Sequence, residues 1–205
     1  MRSLARSIRR PDKGGEPLPT VYTTFENQGV FLRRGEVTMV AAPPGAGKSS
    51  LGVDMAMKIG LPTLYFSADS TELTMASRLA APHPKHSLYN VKQHMLREPE
   101  WAGDLLHKAD HIRWVFDSSP GFGDIGQEVE AFEEVWGAPP HLTVVDNVTD
   151  VQDDGGDEFS ALRYTMKGLK YLARSANTAV LALHHTSEGV ESKPCPPRWA
   201  IHGKI

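Results

Sequence analysis

Cysteine is almost missing from this 205-residue chain: Cys195 stands alone. No internal disulfide can form, and the usage fits a reducing compartment. No apolar run approaches the roughly 20 residues that a membrane-spanning helix needs. Arg2, Arg6, Arg9 and Arg10 are not followed by the apolar stretch of a secretory signal. A net positive charge is missing too. With 22 basic and 25 acidic side chains the chain carries −3, so no overall field recruits nucleic acid, and such contact has to come from local patches. Internal repeats and low-complexity segments are absent. What remains is the expectation of a soluble, cytoplasmic chain with no membrane partner. Its length and 40 % apolar content suit one α/β domain with a sizeable core.

The chemistry that is present begins with Ala42-Pro43-Pro44-Gly45-Ala46-Gly47-Lys48-Ser49. An apolar run (Val37, Met39, Val40, Ala41) precedes it and reads as a buried strand. Leu51, Met55, Ala56 and Ile59 follow at helical spacing. Strand, glycine-rich turn and helix start form the context in which a P-loop match has physical content. Backbone N–H groups of such a loop point at phosphates, and the helix dipole favours their charge. Pro44, Gly45, Ala46, Gly47, Lys48, Ser49 and Ser50 are therefore the candidate nucleotide cradle. Lys48 would reach the β- and γ-phosphates of ATP, and the Ser49 hydroxyl would ligate Mg²⁺. The pattern departs from the usual form at one place, where Ala42 replaces the first glycine.

Strands are expected at Pro62–Ser67, Ile112–Phe116, Leu142–Asp146 and Thr178–Leu183. Helices are expected through Leu73–Leu79, between Ser87 and Lys108, along Ile125, Val129, Phe132 and Val135, and along Phe159, Leu162, Met166, Leu169 and Leu172. This alternation predicts a mostly parallel sheet covered by helices on both faces. Residues 1–20, basic and then rich in Pro and Gly, read as an arm or linker. The arm is either a disordered tail or a segment that docks on a neighbouring subunit or on DNA. Residues 21–205 form the expected ATPase domain.

Leu142-Thr143-Val144-Val145-Asp146 has the form of a Walker B strand, which would bring Asp146 beside Ser49 to bind Mg²⁺ directly or through water. From residue 18 to 205, the order of motifs resembles the RecA-like core of DnaB-type replicative helicases. Leu18-Pro19-Thr20 resembles the segment leading into that core, and Gly35-Glu36-Val37-Thr38 the turn into its P-loop strand. Phe66-Ser67-Ala68-Asp69 with Arg78-Leu79 is similar to its second strand and following helix. Asp117-Ser118-Ser119-Pro120-Gly121 is similar to the turn after its third strand, and Leu181-Ala182-Leu183-His184-His185 to its last core strand.

The resemblance implies an ATP-hydrolysing motor that acts on single-stranded DNA as a ring, expected to be a hexamer, in a bacterial or phage-infected cytoplasm. It implies that Asp69, standing where the family has a glutamate, activates the attacking water. A helix N-cap is the alternative role for Asp69. His185, with His184 second, matches the polar residue that senses the γ-phosphate. With no room for the family's N-terminal collar, the chain is expected to be a phage-type or single-domain relative. It also stops at Ile205, before the strands that carry the family's arginine finger, which implies a fragment or a shortened ATPase of weak turnover. A recombinase or loader of the same fold and a low-turnover ATP-binding switch are the competing readings. Rings would favour the helicase, and filaments the recombinase. A P-loop kinase is disfavoured, because no Arg-rich lid segment follows residue 100.

Lys193, Arg198 and Lys204, with Trp199 as a stacking aromatic, form the candidate DNA contact. An ordinary Pro-rich surface loop is the alternative. The loop from Asp150 to Glu158 is acidic and argues against phosphate contact there. His107 and His111 have the spacing of a zinc helix but lack its glutamate. Asp150 and Asp154 lack the rest of a calcium loop, since Gln152 and Ala161 occupy ligand positions.

Overall fold

Five parallel strands form one sheet, since each of the first four is followed by helical chain that carries it back to the same edge. The computed structural model describes residues 15–80, 88–152 and 158–186. In chain order these contain α1 (Thr23–Asn27), β1 (Val37–Ala42), α2 (Lys48–Ile59), β2 (Thr63–Ser67), α3 (Glu72–Ala80), α4 (Leu88–Arg97) and α5 (Pro99–Leu106). There follow β3 (Ile112–Val115), α6 (Phe122–Trp136), β4 (Leu142–Asp146), α7 (Glu158–Ser175) and β5 (Ala179–His185). Single 3₁₀ turns lie at His107–Ala109 and Val148–Asp150. The sheet order is β1-β5-β4-β2-β3, parallel at every pairing.

Strand alternation divides the core into two layers. Tyr65, Leu142, Val144, Leu181 and Leu183 face α2, where they meet Val53, Met55, Ala56 and Ile59. Leu64, Phe66, Val145, Val180 and Ala182 face the other way, onto Ile125, Val129 and Phe132 of α6 and Leu169 and Leu172 of α7. Burying such a Val, Leu or Phe completely contributes about 1.5–3 kcal/mol each.

Several expectations are corrected by this packing. Every residue of β1, expected to be a buried strand, is only half-buried, because β1 lies at a sheet edge among the described residues. β3 ends at Val115, the last residue with a partner on β2, and leaves Phe116 outside the ladder. The single helix expected between Ser87 and Lys108 is two helices. Pro99 cannot donate an N–H and disfavours helical geometry at Glu98, so it starts a new helix instead. Val135 does not share the buried face of α6 and is 75 % exposed. β5 is longer than expected and includes both histidines.

Residues 15–20, expected as the end of the arm, are packed on the domain. The Leu18 N–H donates to the Leu32 carbonyl at 2.8 Å, Pro17 bridges Arg33, and Leu18 is buried in the α2 layer. Residues 1–14 lie outside the described residues. The short helix α1 has no signal in the sequence, since five residues are too few to show a period.

Candidate active site

The carboxyl ends of β1, β5, β4 and β2 lie side by side, and the candidate residues sit at or just beyond them. Parallel pairing puts Ala42 opposite His185, and Ser67 opposite Asp146. Ligands in open α/β sheets bind along such an edge.

After β1 the chain turns through Gly45 (φ 75°) and Gly47 (φ 89°), left-handed conformations that favour glycine. Ala42, in contrast, is still part of the extended strand, so a Cβ is accommodated there. α2 begins at Lys48, and no side chain caps its first N–H groups, which leaves those donors to an anion. Lys48 is buried. Its ammonium donates to the carbonyls of Ala42 (2.7 Å) and Pro43 (2.8 Å) and lies 3.0 Å from His185 Nδ1. Burial holds its pKa below the usual lysine value, against the opposing pull of Asp146 and Asp69.

Asp146 ends β4 on the α2 side of the sheet and is 2 % exposed. It accepts hydrogen bonds from Ser49 and from the Tyr65 hydroxyl, the latter at 3.1 Å. Burial raises its pKa above the normal carboxylate value, and nearby Asp69 adds to this, while both hydrogen bonds act the other way. Ser49 and Asp146, expected to lie side by side, are thus brought together. They are hard oxygen donors of the kind Mg²⁺ takes together with phosphates and water.

Asp69 lies just past β2, about half-exposed, with a carboxylate oxygen 4.0 Å from His185 Nε2. It is not the N-cap of α3. That position belongs to Thr71, whose hydroxyl accepts the Thr74 N–H at 3.4 Å, while Asp69 accepts from Ser70 Oγ at 3.0 Å. His185 is the histidine on the Lys48 side, because odd positions of β5 face α2. His184 is buried on the strand at the preceding, oppositely directed position.

Three neighbours of the site escape the sequence reading. Tyr65 is hidden in an apolar strand. Asp150 is the last residue of the 3₁₀ turn after β4; burial and then Asp69 raise its pKa. Asn147, joined to Asp146 by a cis peptide, accepts the Thr149 N–H at 2.8 Å and donates to Asp150 at 3.0 Å. Arg78 of α3, whose place in the family pattern was a signal, donates to Ser70 Oγ at 3.0 Å, and its charge favours the ionised form of Asp146. Lys193, Arg198 and Lys204, like Trp199 and Cys195, lie outside the described residues. His107 is exposed and contacts Asp110 at 3.2 Å, whereas His111 is half-buried, off any helix, with Nε2 3.2 Å from the Ala56 carbonyl.

The model of the AAA domain family matches residues 26–191. The gene 65 protein of Mycobacterium phage L5 is 35 % identical over 197 residues, covering 93 % of this chain and 73 % of that protein. The replicative DNA helicase DnaB of Nostoc is 22 % identical over 79 % of this chain, which spans only 19 % of it. Among solved structures, one described as an ATPase domain superposes with a TM-score of 0.76 at 14 % identity, over 97 % of this chain and 74 % of that one. A DnaB-like replicative helicase, described with its primase interactions, gives 0.67 at 15 % identity, over 95 % of this chain and 49 % of that one. The phosphate loop, the carboxylate beside it and these similarities together place the chain in the AAA domain family, as a P-loop ATPase whose fold is like that of these two solved structures.

Proposed function

We propose that this ATPase is the motor domain of a DnaB-like replicative helicase, working on single-stranded DNA as a ring of copies. The observation that carries the reading is the juxtaposition, along one sheet edge, of the loop with Lys48, the Ser49–Asp146 pair, and Asp69 with His185. In this reading the phosphates of ATP rest on the N–H groups from Gly45 to Ser50, beside Pro44, and Lys48 neutralises the β- and γ-oxygens. Ser49 and Asp146 hold Mg²⁺, which supplies charge neutralisation on the transferring phosphoryl group. Asp69 accepts hydrogen bonds from the attacking water and holds it in line. His185, bridging Lys48 and Asp69, reports whether a γ-phosphate is present.

ATP hydrolysis by the purified chain, with and without single-stranded DNA, tests the proposal. Stimulation of about tenfold or more is expected, and turnover indifferent to DNA counts against a nucleic-acid motor. A low-turnover switch is the second reading. It is favoured by the exposure of Asp69, a side chain one methylene shorter than the family's glutamate, and it predicts nucleotide binding with negligible turnover in both conditions.

The segment with Lys193, Arg198 and Lys204 is proposed to meet the DNA. Reversing Lys193 and Arg198 to glutamate is expected to weaken single-stranded DNA binding by about tenfold at low salt and to flatten its salt dependence. A titration monitored by anisotropy checks this, and unchanged affinity removes the segment from the interface.

A further inference from the structure

We propose that Tyr65 is a positioning residue for the metal carboxylate: its hydroxyl holds the Asp146 side chain in the orientation from which it serves the cation. The proposal rests on the reading that Asp146 and Ser49 share a Mg²⁺ ion.

The Tyr65 ring is completely buried in the α2 layer and packs on Trp114 with ring centroids 4.6 Å apart. For packing alone a phenylalanine would serve. The hydroxyl, however, ends 3.1 Å from Asp146 Oδ2, with the Ser49 carbonyl at 3.5 Å. A buried phenol has to be hydrogen-bonded, and here both acceptors belong to residues assigned to the metal. The terminal torsion of an aspartate is broad and roughly twofold, so an unassisted carboxylate would sample many planes. One donor from the floor of the site and a second from Ser49 restrict it to one. Outer partners of this kind orient metal-binding groups, and their loss typically costs about 10–100-fold in metal affinity or activity.

α2 is shaped to admit this hydroxyl. A Cβ at Gly52 would lie 2.9 Å from the Tyr65 oxygen and 3.2 Å from Leu183 Cδ1. Gly52 sits inside the helix with an ordinary φ, where glycine costs about 1 kcal/mol relative to alanine. The clearance it leaves is directed at the phenol. Glycine on the helix, tyrosine on β2 and aspartate on β4 form one connected arrangement, and only the aspartate was legible as a site residue.

The test is Mn²⁺ binding to the ADP complex, followed by electron paramagnetic resonance, with ADP affinity in EDTA as the reference for an intact phosphate loop. Tyr65→Phe is expected to weaken Mn²⁺ binding by about tenfold. Gly52→Ala is expected to weaken it similarly and to lower the melting temperature. The double variant Gly52→Ala/Tyr65→Phe, which has no hydroxyl to clash, is expected to regain the melting temperature of Tyr65→Phe without regaining Mn²⁺ affinity. Wild-type Mn²⁺ affinity in Tyr65→Phe, alongside a clear loss in Asp146→Asn, overturns the role of Tyr65 alone. Wild-type affinity in both variants overturns the metal reading and the proposal together.

Discussion

Lys48→Ala is expected to abolish measurable ATP and ADP binding while the domain stays folded. The ammonium lies within the loop, against the carbonyls of Ala42 and Pro43, and can redirect its protons to phosphate oxygens over a short distance. Charge-assisted hydrogen bonds contribute about 1.5–3 kcal/mol each. Two of them amount to roughly 3–6 kcal/mol, or about two to four orders of magnitude in dissociation constant. Truncation leaves apolar packing nearly untouched, since the layer beneath α2 is built by Val53, Met55, Ala56 and Ile59. The melting temperature should therefore move little. Calorimetric titration with ADP checks the result, and a dissociation constant within about twofold of wild type would refute the phosphate loop itself.

Asp69→Asn is expected to preserve nucleotide binding and to reduce turnover by at least about a hundredfold, the lower end of the range for general acid–base groups. The substitution keeps the shape and the bond from Ser70 but removes the negative charge proposed to align the attacking water. Because Thr71 caps α3, the change does not disturb the helix start. This separates a chemical role from a structural one, a separation that would fail if Asp69 were the cap. His185 stands on both sides of the argument, 3.0 Å from Lys48 and 4.0 Å from Asp69. Unchanged turnover in Asp69→Asn removes the residue from the reaction, and Asp150, whose pKa burial and then Asp69 raise, becomes the carboxylate to test.

The phosphate loop was legible because its chemistry is local. The turn, the lysine, the hydroxyl and the helix start all fall within eight residues. Asp146 was legible for a similar reason, as the carboxylate at the end of an apolar strand. The preference for His185 over His184 comes from the motif resemblance; residues of both parities in β5 are buried, so only the packing of α2 shows which face each histidine occupies. The break between α4 and α5 is also available in Pro99, although a helical period can be read across it. Tyr65 was not legible. An aromatic in an apolar strand reads as core, and nothing within β2 says that the hydroxyl meets Asp146, 81 residues later.

Residue patterns alone settle the class of chemistry and the layered α/β fold, because side-chain period, turn geometry and loop chemistry act over short stretches of chain. They also indicate which strand leads into the loop and which ends in Asp146. The strand order β1-β5-β4-β2-β3 emerges only in three dimensions, and that order sets what each candidate touches. β5 lies between β1 and β4, and His185 at its end bridges Lys48 and Asp69. β2 lies beside β4, so Tyr65 reaches Asp146 from below. Neighbours across a parallel sheet are chosen by burial of both faces at once, a condition that no single segment of the chain contains.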